Sequence, residues 1–101
     1  MVRFLVLYDT PDDPEAFDRH YREVHIPLTK KLPGLRRYTI SRDVVRVRGD
    51  EPCYLVAELD WDDMDSLRNA FSSPEGAATA ADVPTFAGDR VRRMIYEVED
   101  V

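Results

Sequence analysis

The first hydrophobic run of the chain, from Val2 to Tyr8, is apolar at every position except Arg3. A short run rich in β-branched and aromatic residues, followed by a turn rich in Asp and Pro, is typical of a β-strand. Because polar positions do not alternate regularly with the apolar ones, we expect both faces of this strand to be covered. Each face of the strand therefore needs a covering layer.

The next segment has the periodicity of an amphipathic helix. Asp12 or Asp13 can cap this helix, and Pro14 then takes its first position. Pro27 disfavours helical geometry at the residue before it, so we expect the helix to kink or pause near His25 and then to resume. The predicted core stripe of this helix consists of Phe17, Tyr21, Val24, Leu28 and Leu32.

Two further apolar segments follow the Pro33-Gly34 turn and predict a β-hairpin. The first strand is expected over Leu35 to Val47 and the second over Pro52 to Trp61. The turn that joins them is expected around Gly49-Asp50.

The second half of the chain again contains a helix and a strand. The helix is expected to begin after Asp62-Asp63 and to end at Ser72-Ser73, a short turn of small residues reaches Ala81, and the last strand covers Val91 to Val98. The order βαββαβ predicts an α+β fold with a four-stranded antiparallel sheet and both helices on one face, in one domain over residues 1–101. The bare sheet face would carry apolar residues, so we expect a homodimer that closes sheet against sheet.

The composition excludes several classes of function. The chain has 101 residues and a net charge of −6, so its field repels nucleic acids and anionic membrane surfaces. Cys53 is the only cysteine, which rules out an internal disulfide and a cysteine-rich zinc site and favours the cytoplasm. No apolar run is long enough to span a membrane. Cofactor-binding motifs are also absent from the sequence, and we expect a protein without a cofactor.

The two histidines are the first candidates for chemistry. His25 lies beside the expected helix break and could act as a general base, or it could hydrogen-bond the broken helix end. His20 lies five residues earlier, about 140° away on a regular helix, so the two imidazoles should not share a face and no metal site is expected. His20 is interpreted as a half-buried helix residue held by a neighbour, with contact to a ligand as the alternative.

Aromatic residues supply the expected binding surface for a small molecule. Large rings that end in hydrogen-bond donors suit a hydrophobic, aromatic or polyketide-like metabolite with phenolic oxygens. Tyr38 and Tyr54 lie on adjacent predicted strands and are the first choices, although aromatic residues on strands are more often part of the core. The candidate ligand contacts are His20, Tyr21, Tyr38, Tyr54 and Trp61.

The sequence resembles the EthD-like family of the dimeric α+β barrel superfamily. Its first helix and the following turn carry the family pattern as Phe17, His20, Tyr21, His25, Pro27, Leu28, Leu32, Pro33, Gly34, Leu35 and Tyr38. A second block of similarity includes Ala57 to Trp61, Leu67, Phe71, Ser73 to Gly76, and Phe86. Tyr21 departs from the pattern, because Trp is common at that position.

The resemblance implies a ferredoxin-like subunit, a dimer formed through the sheets, and a pocket between helices and sheet that contains His25. Members of the wider superfamily include cofactor-free monooxygenases of aromatic polyketides, cyclases and decarboxylases. One hypothesis is therefore a cofactor-independent enzyme that uses His25 as a general base. The alternative is a binding or accessory protein that supports a partner oxidase without catalysis.

Overall fold

The computed structural model describes all 101 residues, and its elements follow the predicted order. The strands are β1 (Val2–Tyr8), β2 (Arg37–Ile40), β3 (Leu55–Trp61) and β4 (Val91–Glu97). The helices are α1 (Pro14–His20), α2 (Ile26–Thr29), α3 (Met64–Ser72) and α4 (Pro74–Ala87), and a π-helical turn (Tyr21–His25) joins α1 to α2.

The four strands form one antiparallel sheet in the order β2-β3-β1-β4. The central strand β1 pairs Val6 with Ala57 of β3 and with Arg93 of β4, so these three side chains project from the same face. The helices cover this face. The predicted fold class, a ferredoxin-like βαββαβ subunit with helices on one side of the sheet, is confirmed.

The core lies between the helices and the sheet. Val2, Val6 and Tyr8 of β1 are buried there together with Trp61 of β3. The alternate residues of β1 project from the opposite face, where Met94 and Tyr96 of the edge strand remain 46% and 38% exposed. Within one chain the second face of β1 therefore lacks the cover that its apolar pattern predicts.

The predicted hairpin strands are longer than those observed. β2 ends at Ile40 and β3 begins at Leu55, so the expected strand residues between them form a loop instead. Val45 and Val47 have exposed fractions of 83% and 100% in this loop. The alternation of Val and Arg in this part of the sequence has no facing strand or core to pack against, and side-chain pattern alone does not make a strand.

The helix boundaries follow local capping chemistry. The Asp13 side chain accepts a hydrogen bond from the Ala16 backbone N–H, and the Asp63 side chain accepts one from Ser66, as predicted. Where a small helical turn was expected to end at Ala81, α4 continues to Ala87. This prediction was too short because α4 carries small residues and an internal proline that obscure its periodicity.

Close packing of α3 against α4 depends on Gly76. A Cβ atom at this position would overlap the backbone of Ala70 and Phe71 at the end of α3. Thr79 and Val83 continue the buried side of α4, and α4 packs against α1, the π-helical turn and α2. The same helix carries Asp82 toward the two histidines.

Candidate functional site

A π-helical turn brings the two histidines to the same carboxylate. The Ile26 N–H bonds to the carbonyl of Tyr21, five residues back, which widens the turn between His20 and His25. In a regular α-helix residues five apart differ by about 140°, whereas one wider turn nearly aligns them. The prediction that the imidazoles do not share a face was therefore wrong.

Asp82 of α4 lies between the two imidazoles. His20 Nε2 lies 2.9 and 3.1 Å from the two carboxylate oxygens of Asp82, and His25 Nδ1 lies 3.0 Å from Oδ2. The Thr85 hydroxyl also donates to Asp82 Oδ1 at 3.1 Å. Burial alone would raise the pKa of Asp82, but hydrogen bonds from both histidines bring the pKa below its ordinary value. Asp82 is therefore an anion at neutral pH.

His25 has the protonation state that a general base needs. An ionised carboxylate only accepts hydrogen bonds, so Nδ1 of His25 carries the proton and Nε2 keeps a lone pair. Nε2 has no hydrogen-bond partner. Every fully buried side-chain nitrogen or oxygen in the structure has such a partner, so Nε2 is not fully buried and borders accessible space. Burial lowers the pKa of His25 from 6.5, with Asp82 acting in the opposite direction.

His25 lines a cavity of about 60 Å³. Its walls come from the π-helical turn, α2, the inner sheet face and α4, and are mostly apolar. Ala80 and Arg93 are the exposed members of the lining, so the cavity reaches the surface between α4 and β4. A volume of about 60 Å³ holds a few water molecules, and an aromatic ligand would require the walls to move apart.

Two of the predicted tyrosines meet in this cavity. The hydroxyl oxygens of Tyr21 and Tyr38 are 2.7 Å apart, and the rings of Tyr21 and His25 have centroids 5.2 Å apart. Burial raises the pKa of both tyrosine hydroxyls, so both stay protonated at neutral pH. They are therefore protonated hydroxyls that line the same cavity as His25.

The structure does not bring the other predicted ligand contacts to this cavity. Trp61 is fully buried, and its indole N–H donates to the Pro33 carbonyl at 2.9 Å, which ties the turn after α2 to the sheet. The Tyr54 hydroxyl donates to Asp18 at 2.9 Å and lines a separate open groove. His20 borders another open groove and reaches His25 only through Asp82. We therefore remove Trp61 and Tyr54 from the candidate site.

Three residues of the site were not among the candidates chosen from the sequence. Asp82 and Phe86 lie in the part of α4 that was not predicted, and the Phe86 ring packs against both imidazoles with centroid distances of 5.2 and 4.9 Å. Arg93 was predicted only as part of the last strand, Val91 to Val98. The pairing of Arg93 in β4 with Val6 in β1 shows that Arg93 projects toward the helices, and this pairing cannot be read from the sequence.

The structure contains no group of three or more His, Cys, Asp or Glu side chains arranged to hold a metal ion. In the His20–Asp82–His25 cluster, the histidine nitrogens already hydrogen-bond the carboxylate. All helices of the chain are too short or too polar to span a bilayer.

Comparison with known proteins assigns the chain to a family. The model of the EthD domain matches residues 10–90, which include His20, His25 and Asp82. The chain belongs to the EthD family. An uncharacterised 11.0 kDa protein of Rhodococcus erythropolis, encoded in a thcB-thcC intergenic region, is 35% identical to this EthD protein over 102 residues, with 100% of this chain and 98% of the relative covered.

Solved structures agree with the family assignment. An EthD family protein from Bacillus halodurans is 41% identical, covers 98% of this chain and 99% of its own, and superimposes with a TM-score of 0.91. SnoaB from Streptomyces nogalater, a cofactor-independent oxygenase, shares only the fold, at 18% identity and a TM-score of 0.66, with 99% and 94% of the two chains covered. A dimeric protein of ferredoxin-like fold from Bacteroides fragilis is also among the solved structures that share this architecture.

Proposed function

We propose that this EthD protein is a small cofactor-independent enzyme in which His25 is the general base. The observation that carries the proposal is His25 itself, which lines a mostly apolar cavity while Asp82 holds its Nδ1 and its Nε2 has no hydrogen-bond partner. A neutral imidazole with one fixed nitrogen and one free nitrogen is suited to proton abstraction. The fold that the chain shares with the oxygenase SnoaB is compatible with this chemistry but does not specify it.

The proposed first step is removal of a proton from an acidic C–H or phenolic O–H group. Nε2 of His25 takes the proton, and the electron pair stays on the ligand as an enolate or phenolate. Asp82 stabilises the imidazolium that forms, because its charge lies beside Nδ1. One hydroxyl of the Tyr21–Tyr38 pair donates to the other, and the remaining hydroxyl proton can be donated to the new anion.

The fate of the anion defines the reaction class. Transfer of its electrons to dioxygen gives an oxygenase, and attack on a carbonyl of the same molecule gives a cyclase. Both begin with the same His25 step. A decarboxylase would instead release CO2 first, and a protonated His25 would then return a proton to the carbanion that the broken C–C bond leaves. The ligand that fits this chemistry is an aromatic or polyketide-like metabolite with an acidic hydrogen.

Deuterium exchange isolates the first step from the later ones. 2-Tetralone, an aromatic ketone with acidic α-hydrogens, is incubated with the protein in D2O, and the loss of the α-proton signal is followed by NMR. The protein should accelerate the exchange, and His25→Ala should lower the protein-dependent rate at least about 100-fold. Tyr54→Phe, outside the cavity, should leave it unchanged. Equal exchange rates for the wild-type protein and His25→Ala would refute the role of His25 as the general base.

A second candidate function is a binding or accessory protein that supports a partner oxidase. The loop between β2 and β3 favours it, because Val45 and Val47 are exposed there. This function predicts that a double Val45→Ser and Val47→Ser variant keeps its stability but loses the partner-dependent effect, while His25→Ala retains it. Deuterium exchange that depends on His25 argues for the enzyme instead.

We also propose that the protein forms a homodimer through its open sheet faces and works in the reduced cytoplasm. Leu5, Leu7 and Val56 share the open face with the exposed Met94 and Tyr96, and this shared apolar surface is what a second sheet would cover. Leu7→Glu should convert a dimer at micromolar concentration into a monomer in sedimentation velocity, whereas Val45→Glu in the loop should not. A wild-type monomer under these conditions contradicts the proposal.

A further inference from the structure

Arg93 is the only permanently charged side chain in the lining of the His25 cavity. Its pairing with Val6 directs the side chain to the inner face of the sheet, where the cavity opens between β4 and α4. The rest of the lining is apolar apart from hydroxyl groups and the neutral His25. The charge therefore stands at the mouth of a mostly apolar space.

Arg93 also lacks an anionic partner, in contrast to the arginines next to it. Arg92 binds Glu51 at 2.7 Å and Arg90 binds Asp12 at 2.9 Å, but no carboxylate of the chain lies within 4.0 Å of Arg93. The chain carries a net charge of −6, so acidic side chains are plentiful. A guanidinium left free at the mouth of a cavity is available to an anion from outside.

The position of the charge relative to the tyrosines supports this assignment. Burial raises the pKa of Tyr8, which lines the same cavity, and the charge of Arg93 acts against that rise. The guanidinium thus exerts its field inside the cavity rather than only in solvent. An anionic group bound there would lie in the same small space as the free Nε2 of His25.

We propose that Arg93 binds a carboxylate of the ligand, so that the cavity selects aromatic or polyketide-like carboxylates over their neutral analogues. A guanidinium forms two parallel charge-assisted hydrogen bonds with a carboxylate, which fixes both the position and the orientation of the ligand. The carboxylate would remain at the mouth and the acidic hydrogen would point inward to His25. This assignment rests on the proposed function for the location of the ligand, and it adds the chemical class that the site recognises.

Salicylate and phenol test the proposal as a matched pair, because they differ only by the carboxylate. Both are titrated into 15N-labelled protein at neutral pH, and the backbone amides of Val6, Tyr8 and Arg93 are followed by NMR. Salicylate should bind at least about tenfold more tightly than phenol. In Arg93→Gln the affinity for salicylate should fall to that for phenol, while the affinity for phenol should stay the same.

Two further variants separate recognition from general electrostatics. Arg92→Gln removes the same charge from the adjacent position on the opposite sheet face and should keep the preference for salicylate. Arg93→Lys keeps the charge but not the planar fork, and should bind salicylate with intermediate affinity. An equal loss in Arg92→Gln would overturn the proposal, as would weaker binding of both compounds to Arg93→Gln.

The binding experiment with salicylate can also be distinguished from the deuterium-exchange experiment that tests His25. His25→Ala should still prefer salicylate, because the carboxylate contact does not involve the imidazole. A wild-type protein that binds salicylate no better than phenol, or that binds neither up to about 10 mM, refutes carboxylate recognition. Deuterium exchange of the neutral 2-tetralone would still test His25 in that case.

Discussion

Nδ1 of His25 lies 3.0 Å from Oδ2 of Asp82, although 57 residues separate the two in the chain. His20 approaches the same carboxylate from the other side at 2.9 Å. Asp82 thus fixes the tautomer of His25, and His20 fixes Asp82. Because Nδ1 is held in this way, Nε2 is the nitrogen of His25 that remains without a hydrogen-bond partner.

Asp82→Asn should weaken His25 as a base without unfolding the protein. Loss of the negative charge removes an interaction that favours the imidazolium, so the pKa of His25 should fall further below 6.5. The rate of His25-dependent exchange should drop about tenfold to 100-fold, with its acidic limb shifted to lower pH. NMR titration of the His25 Cε1–H signal measures the shift directly. The control, Asp89→Asn, changes an exposed carboxylate and should leave the His25 pKa in place.

Activity and stability should both decrease as the pH falls. The pKa of His25 is lowered on folding, so the base is free at neutral pH and its activity is lost as the pH falls through that lowered pKa. The unfolded chain takes up protons more readily below about 6.5, so the free energy of unfolding should also decrease on acidification. Urea unfolding at pH 7.5 and at pH 5 measures this loss. His25→Gln should show a smaller difference between the two values; an unchanged difference would contradict the assignment.

Tyr21→Phe should cost about 1 kcal/mol of stability, because it removes one member of a buried hydroxyl pair 2.7 Å apart and leaves Tyr38 with one partner fewer. The ring contacts with His25 and Phe86 are retained. Denaturant unfolding measures the loss, and deuterium exchange with 2-tetralone should slow in the same variant. Tyr54→Phe serves as the matched control, since its hydroxyl contact is exposed and should contribute less than about 0.5 kcal/mol.

Gly76→Ala should destabilise the protein by about 1 to 3 kcal/mol, because a Cβ there collides with the backbone at the end of α3. Since α4 carries Asp82, the shift should also weaken the contact with His25. Thermal unfolding and the His25 titration together report both effects. Ala77→Gly at an exposed position of the same helix should cost only about 1 kcal/mol and leave the His25 pKa unchanged. A fully stable Gly76→Ala protein would show that α3 and α4 can separate without cost.

Most of the fold could be predicted because local signals agree with it. Strand β1 is apolar apart from Arg3, Asp13 and Asp63 cap their helices, and the order of elements admits few topologies. The predictions were wrong where a segment with the side-chain pattern of a strand has no neighbouring strand to pair with. The residues between β2 and β3 alternate like a strand but have nothing to pair with.

The candidate site could be predicted only in part. His25 was chosen as a candidate because it lies near the expected helix break at Pro27, and Tyr21 and Tyr38 were two of the aromatic candidates, which the structure brings together in the lining of the cavity. Trp61 and Tyr54 could not be excluded from the sequence, since a ring on a strand has the same pattern whether it fills the core or borders a cavity.

The sequence by itself determined the family, the order of strands and helices, and the histidine that we propose as the general base. Only the tertiary structure decided which side chains surround that histidine. The wide turn from Tyr21 to His25 aligned both imidazoles with Asp82, and the register of β4 directed Arg93 to the mouth of the cavity. Both depend on contacts between residues more than 50 positions apart, which helical and strand periodicities do not encode.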